Sequence, residues 1–236
     1  MFLLAFFVCT VAPAQSLVVP DVSYPKLPQN APTADGFVPE GWRIESVARG
    51  DLNGDGIADL VLVLRDTDPR NIVKHDVLGE NPFNTNPCML VVAFATDHGY
   101  VLALENHTLI PRREVPAFDD VLEDDGGIYT GNGVLNVSLH FFASAGTWST
   151  SRTTYTFRWQ QQRFALIGYD YDWRHRGSGE TQTLSINYST GKLKRGHRNS
   201  PEDVEKISWE VLRSPKRWSI DEIGNGMAFD PLSERK

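Results

Sequence analysis

The stretch GDLNGDGIADLVLVL, Gly50 to Leu64, places oxygen-bearing side chains at Asp51, Asn53, Asp55 and Asp59, then runs into Leu60-Val61-Leu62-Val63-Leu64. A strand with one wet face alternates, so an unbroken apolar run reads as a strand covered on both faces. The carboxylates crowded before it repel one another unless something neutralises them. The loop sets hard oxygens at its first, third, fifth and ninth positions, Gly56 at the sixth for a sharp bend, and the Ile57 carbonyl at the seventh. Calcium takes roughly six to eight such oxygens. The expected metal ligands are therefore Asp51, Asn53, Asp55, the Ile57 carbonyl and Asp59. Leu62 holds the twelfth position, where an EF-hand loop has a bidentate Glu, so this is not an EF-hand. An Asx-rich turn is the rival reading of the same residues, because Asp, Asn and Gly also gather in turns for backbone reasons.

Outward from this loop the signal is β almost throughout. Trp42 to Val47 alternates apolar with polar residues, as do Asn136 to Phe141 and Thr154 to Trp159. Asp97-His98-Gly99 sits between the runs Met89–Phe94 and Tyr100–Leu104, a hairpin signature. Gln160-Gln161-Gln162 and Ser189-Thr190-Gly191-Lys192 separate further strands. Short strands joined by polar turns predict an all-β domain of antiparallel meanders with blade-like sheets. Ser200-Pro201-Glu202-Asp203 has the cap, proline and early acids of a helix start. A short C-terminal helix is expected there, although Ile207, Trp209 and Val211 alternate like a strand.

The expected organisation is a signal peptide over residues 1–14, a proline-rich arm or linker over 15–41, and a β-rich calcium-binding domain over 42–236. Apolar residues from Phe2 to Val11 lead to Ala12-Pro13-Ala14, small residues at cleavage positions. No Lys or Arg precedes that apolar run, which is itself too short to span a bilayer. Pro20, Pro25, Pro28, Pro32 and Pro39 block helices and ladders in the arm. The net charge of −7 disfavours nucleic-acid binding, which needs a basic surface to displace counterions. A periplasmic or secreted protein without a transmembrane segment after cleavage is expected. Only Cys88 would then remain, so no intramolecular disulfide forms, and Cys88 reads as a small buried hydrophobe.

The run Val47-Ala48-Arg49-Gly50-Asp51-Leu52-Asn53-Gly54-Asp55-Gly56, followed by Asp59-Leu60-Val61, resembles the FG-GAP (VCBS-type) calcium loop of integrin α-subunits and bacterial β-propellers. The resemblance covers roughly Val47 to Val63. It implies calcium held by Asp51, Asn53, Asp55, Asp59 and the Ile57 carbonyl, on a loop between two strands of one blade. The motif occurs once, without flanking Phe-Gly and Gly-Ala-Pro elements, so it implies a loop and one blade-like sheet rather than a propeller. Calcium affinity on the order of 10⁻⁴ to 10⁻⁶ M is expected. At a hundredfold excess over Kd, binding would add about 2.7 kcal/mol to the fold. Arg49-Gly50-Asp51 spells an integrin-recognition tripeptide, but its Asp51 is the first expected metal ligand.

Two other clusters invite chemistry. Asp119 to Gly127 is acidic but follows no known loop spacing, and reads as a solvated turn. In Tyr169 to Arg176, a strand puts Tyr169, Tyr171 and Trp173 on one face and Asp170 and Asp172 on the other. The aromatic face could stack on a sugar ring. The acids could serve glycoside cleavage, although side chains two apart on a strand stand roughly 7 Å apart and parallel. The alternative is an aromatic core facing acids paired with Arg174 or Arg176. No zinc, phosphate-loop or nucleophile-elbow motif is present. The sequence therefore favours a non-enzymatic binding or interaction module of the cell envelope, with an unidentified protein or glycan partner. The rival is an extracytoplasmic carbohydrate hydrolase acting through Asp170 or Asp172.

Overall fold

A computed structural model describes residues 17–122, 127–212 and 216–233, so the expected signal segment lies outside it. The elements are β1 (Asn30–Ala31), β2 (Trp42–Gly50), β3 (Asp59–Asp66), β4 (Ile72–Val73), β5 (Phe83–Asn84), β6 (Cys88–Thr96), β7 (Gly99–Asn106), β8 (Ile128–Gly131), β9 (Val134–Phe142), β10 (Ser149–Gln160), β11 (Arg163–His175), β12 (Thr181–Asn187), β13 (Lys192–Arg198), β14 (Lys206–Val211) and α1 (Ile220–Ile223). The fold is all-β and antiparallel, as the patterning predicts. A five-stranded sheet has the order β1-β7-β6-β3-β2, and a seven-stranded meander runs β14-β13-β12-β11-β10-β9-β8. β4 and β5 pair separately.

The two larger sheets pack face to face. Val61, Val63, Leu90 and Val92 from the small sheet meet Leu135, Val137, Tyr155, Phe157 and Leu166 from the large one in a single core. The opposite face of the small sheet, through Leu60, Leu62, Leu64, Met89 and Val91, packs under Leu27, Ala31 and Phe37 of the proline-rich segment. That segment lies on the sheet. Its Gln29 carbonyl accepts from the Leu102 N–H at 2.9 Å, and Asn30 and Ala31 pair with β7. Close approach requires Gly99, where a Cβ would stand 2.5 Å from the Ala31 carbonyl oxygen. The continuous run Leu60–Leu64 thus has two covers, and each of its residues is 0% exposed.

Two expectations shift. The alternation of Trp42 to Val47 is broken by a bulge between Ile44 and Ser46. Ile44 therefore faces the arm, Ala48 reaches the inter-sheet core, and Val47 is 46% exposed. The short C-terminal helix falls at Ile220–Ile223, where the Glu222 carboxylate accepts from both the Ser219 N–H and Oγ. The Ser200 stretch instead forms a turn leading into β14. Val204, Ile207 and Val211 would share a helix face, but all three are exposed at the edge of the sheet, so no packing rewards a helix there.

Candidate functional site

The Asp51–Asp59 loop closes on its own amides. Asp51 Oδ1 accepts from the Gly54 N–H at 2.7 Å and Oδ2 from the Gly56 N–H at 3.0 Å. Asn53 Oδ1 accepts from the Asp55 N–H, and its Nδ2 donates to Asp55 Oδ2, both at 2.9 Å. Asp55 Oδ1 accepts from the Ile57 N–H at 2.8 Å. These local turns require positive φ at Gly54 (87°) and Gly56 (86°). Asp59 is different: it is 0% exposed. Its Oδ2 accepts from the Leu52 and Asn53 N–H groups at 2.8 and 3.3 Å, while Oδ1 accepts from the Ala95 N–H on β6 at 2.9 Å. It ties the loop to the neighbouring strand.

The expected ligands therefore share one loop, with Asp55 and Ile57 at its exposed rim and Asp59 beneath it. Among the described residues no three acidic, histidine or cysteine side chains converge as a metal-holding group. The donors are all hard oxygens, and a carboxylate oxygen that accepts one amide keeps a second lone pair. That chemistry suits calcium. Asp59 is the least available donor, because amides from the loop and from β6 hold it and solvent is excluded. Arg49 Nη1 donates to the Tyr100 hydroxyl at 2.9 Å, so the arginine and aspartate of the tripeptide are both engaged within the chain.

The Asp119–Gly127 cluster is described only in part. Asp120 accepts from the buried Arg65 guanidinium at 2.7 Å, and residues 123–126 lie outside the description. Cys88 is 5% exposed, and burial pushes its thiol up to about 12, which leaves it unreactive near neutral pH.

β11 has the expected facing. Tyr169 pairs with Tyr155 and Tyr171 with Thr153 on the inner side, while Asp170 and Asp172 stand opposite Thr154 and Arg152 on the outer side. Burial raises the Asp172 carboxyl above its ordinary range, as does the charge of Asp170, and Arg152 opposes the shift. Arg176 turns away from both acids. It donates to the Ala143 and Thr147 carbonyls at 2.9 and 3.0 Å and lies 4.2 Å from the Phe142 ring centroid.

The inner face of the large sheet extends beyond the small one and floors a cleft of about 740 Å³. Phe141, Thr153, Tyr171 and Leu184 form the floor; residues 111–121 and 225–231 form the walls. Phe118 packs edge-on against Phe141 at 5.1 Å. Phe229 lies 6.1 Å from Tyr169 and 5.1 Å from Trp218. The C-terminal wall is pinned: the Tyr155 hydroxyl donates to the Gly226 carbonyl at 2.5 Å, and the Gly226 N–H donates to the Leu109 carbonyl at 3.1 Å. Arg113, Asp119, His140 and Asp230 add polar groups around the aromatic surface. Arg113 is held by Glu80 at 2.7 Å and donates to the Phe118 carbonyl at 2.8 Å. Sequence reasoning finds only the β11 part of this site, through the Tyr169/Tyr171 alternation. The walls come from segments distant in the chain and carry no local motif.

No family model matches the chain, and no curated protein or solved structure shows significant similarity to it.

Proposed function

We propose that the protein is an extracytoplasmic binding module that seats a glycan in the aromatic cleft of its large sheet. The supporting observation is the cleft itself. Its volume lies in the range of small-ligand sites, roughly 300–1,000 Å³. It combines the aromatic side chains of Phe141 and Tyr171 with charged and hydroxyl groups at Arg113, Asp119 and Thr153. A sugar ring has the matching duality: an apolar C–H face for an aromatic ring and hydroxyls for the polar groups. Among the described residues no helix is long and apolar enough to cross a membrane.

Binding is favoured over cleavage by the position of Asp170 and Asp172. They project from the outer face of β11, so the sheet itself lies between them and a sugar resting on Tyr171. The Asp51–Asp59 loop is proposed to take calcium in a structural role, through Asp51, Asn53, Asp55 and the Ile57 carbonyl, with Asp59 anchoring the loop from below. This assignment rests on the all-oxygen donor set and the resemblance of the loop.

Ligand-observed NMR with purified mature chain and a panel of oligosaccharides, in calcium and in EDTA, tests the reading. Saturation transfer that disappears in Tyr171→Ala is expected. No transfer to any oligosaccharide would remove the glycan assignment and leave a protein partner as the candidate occupant, and transfer that persists in Tyr171→Ala would place the glycan outside this cleft. Calorimetry on chelator-stripped material tests the loop separately: calcium should release or absorb heat and raise the melting temperature.

A further inference from the structure

The edge of the seven-stranded sheet carries an inference independent of the cleft. β14 is its last strand, and every residue of β14 is exposed. The other edges of the two large sheets are closed or shortened. β8, at the far end, packs against β2, with Thr130 Oγ1 donating to the Arg49 carbonyl at 2.6 Å. β2 carries a bulge, and β1 has 2 residues. Short strands, bulges and packed neighbours keep sheet edges from pairing with other chains. Among the described residues β14 has none of these.

The hydrogen-bond phase of β14 is fixed. The Leu212 N–H donates to the Gly191 carbonyl at 2.7 Å, one step beyond the pairing of Val211 with Lys192. Antiparallel ladders alternate, so Glu210, Ser208 and Lys206 bond inward to β13, while Ile207, Trp209 and Val211 turn N–H and C=O outward. The side chains of those same three residues share one face and are 50%, 65% and 73% exposed.

We propose that β14 pairs antiparallel with β14 of a second copy of this chain, about a two-fold axis through Ser208. This register sets Ile207 opposite Trp209 of the second copy, and both have outward-pointing N–H and C=O groups to exchange. Lys206 then stands opposite Glu210 of the second copy in a non-hydrogen-bonded pair, where side chains come closest. The contact occurs twice. Glu210 already accepts from Arg195 at 3.1 Å within its own sheet, so it would lie between two cations. A parallel, in-register pairing would set Lys206 on Lys206 and Glu210 on Glu210, which like-charge repulsion disfavours.

Sedimentation equilibrium on the full chain, over about 1–200 μM, reads the association; a contact this small predicts a Kd on the order of 1–100 μM. Lys206→Glu and Glu210→Lys should each weaken self-association about tenfold or more, because each sets like charges opposite one another twice. Mixing the two variants should restore association, since both charge contacts are opposite again in the mixed pair. Trp209→Pro should leave the chain monomeric yet folded, because the N–H it removes points outward; circular dichroism checks the fold. A wild-type chain that stays monomeric at the top concentration overturns the proposal. So does a dimer that Lys206→Glu and Trp209→Pro leave unchanged.

Discussion

β3 and β11 both lie inside their sheets, yet they are patterned differently. Leu60 to Leu64 on β3 are all 0% exposed. On β11, buried Tyr169 is followed by exposed Asp170. The difference is a second cover. The large sheet meets the small one and leaves its outer face to solvent, whereas the small sheet is also roofed by Leu27, Ala31 and Phe37. An apolar run therefore reports that a cover exists without saying which part of the chain supplies it. The sharpest way to break this comparison is to remove the cover. Phe37 is 0% exposed against Leu60, Leu62 and Leu64. Phe37→Ala should lower stability by about 3–5 kcal/mol, measured by urea unfolding, as for a buried aromatic in an ordinary core. A loss under about 1 kcal/mol would mean that the arm rests on the sheet without contributing to the core.

This contrast also marks how far the sequence could be read. Alternation along β9, β10 and the Tyr169–Trp173 part of β11 gives the facing of those strands directly, because a strand buried on one side writes its burial with period two; a register shift beside Gly168 breaks it between Leu166 and Tyr169. The hairpin at Asp97-His98 follows from turn chemistry that is local, and the one at Gln161-Gln162 from the polar break between two apolar-patterned runs. The bulge near Glu45 does not, since it flips parity without a glycine or proline to announce it. The cleft depends on Phe118, Tyr171 and Phe229 meeting, and residues that far apart share no periodicity. The loop is the intermediate case. Its curled form is legible in Asp51, Asn53 and the glycines, but the inward turn of Asp59 is set by the Ala95 amide on β6, a partner that only the sheet register brings there.

Within the loop, a second comparison separates anchor from rim. Asp59→Ala leaves the amides of Leu52, Asn53 and Ala95 without their shared acceptor in a dry site, and should cost about 2–3 kcal/mol whether or not calcium is present. Asp55→Ala removes contacts at an exposed turn and should cost below about 1 kcal/mol in EDTA. If the loop takes calcium as proposed, the Asp55→Ala deficit should grow when calcium is added, because only the wild type then gains binding energy. Thermal melts of both variants in calcium and in EDTA measure this. Equal deficits for the two residues would erase the distinction.

A smaller effect of opposite sign is expected at the β10–β11 turn. Gln161 and Gln162 hold φ of 53° and 58°, in the region that favours Asn and Gly. The double substitution Gln161→Asn with Gln162→Gly should raise stability by about 0.5–1 kcal/mol in urea unfolding, without altering the register of either strand.

The smallest effect belongs to the wet face of β11. Asp170 is exposed, so Asp170→Ala should change stability by less than about 0.5 kcal/mol, which is the counterpart of the large loss at Phe37. Burial and the charge of Asp170 raise the Asp172 carboxyl in the folded chain. A carboxyl raised on folding favours the native state at low pH, below its unfolded value, and that contribution is lost as pH rises through the folded value. At neutral pH the ionised Asp172 therefore opposes folding slightly, and removing Asp170 relieves part of the opposition. The variant should match or marginally exceed the wild type at neutral pH. This electrostatic gain should vanish where both acids are protonated. An NMR titration should show Asp172 moving back toward its ordinary range in Asp170→Ala; an unchanged Asp172 would mean that burial alone sets the shift.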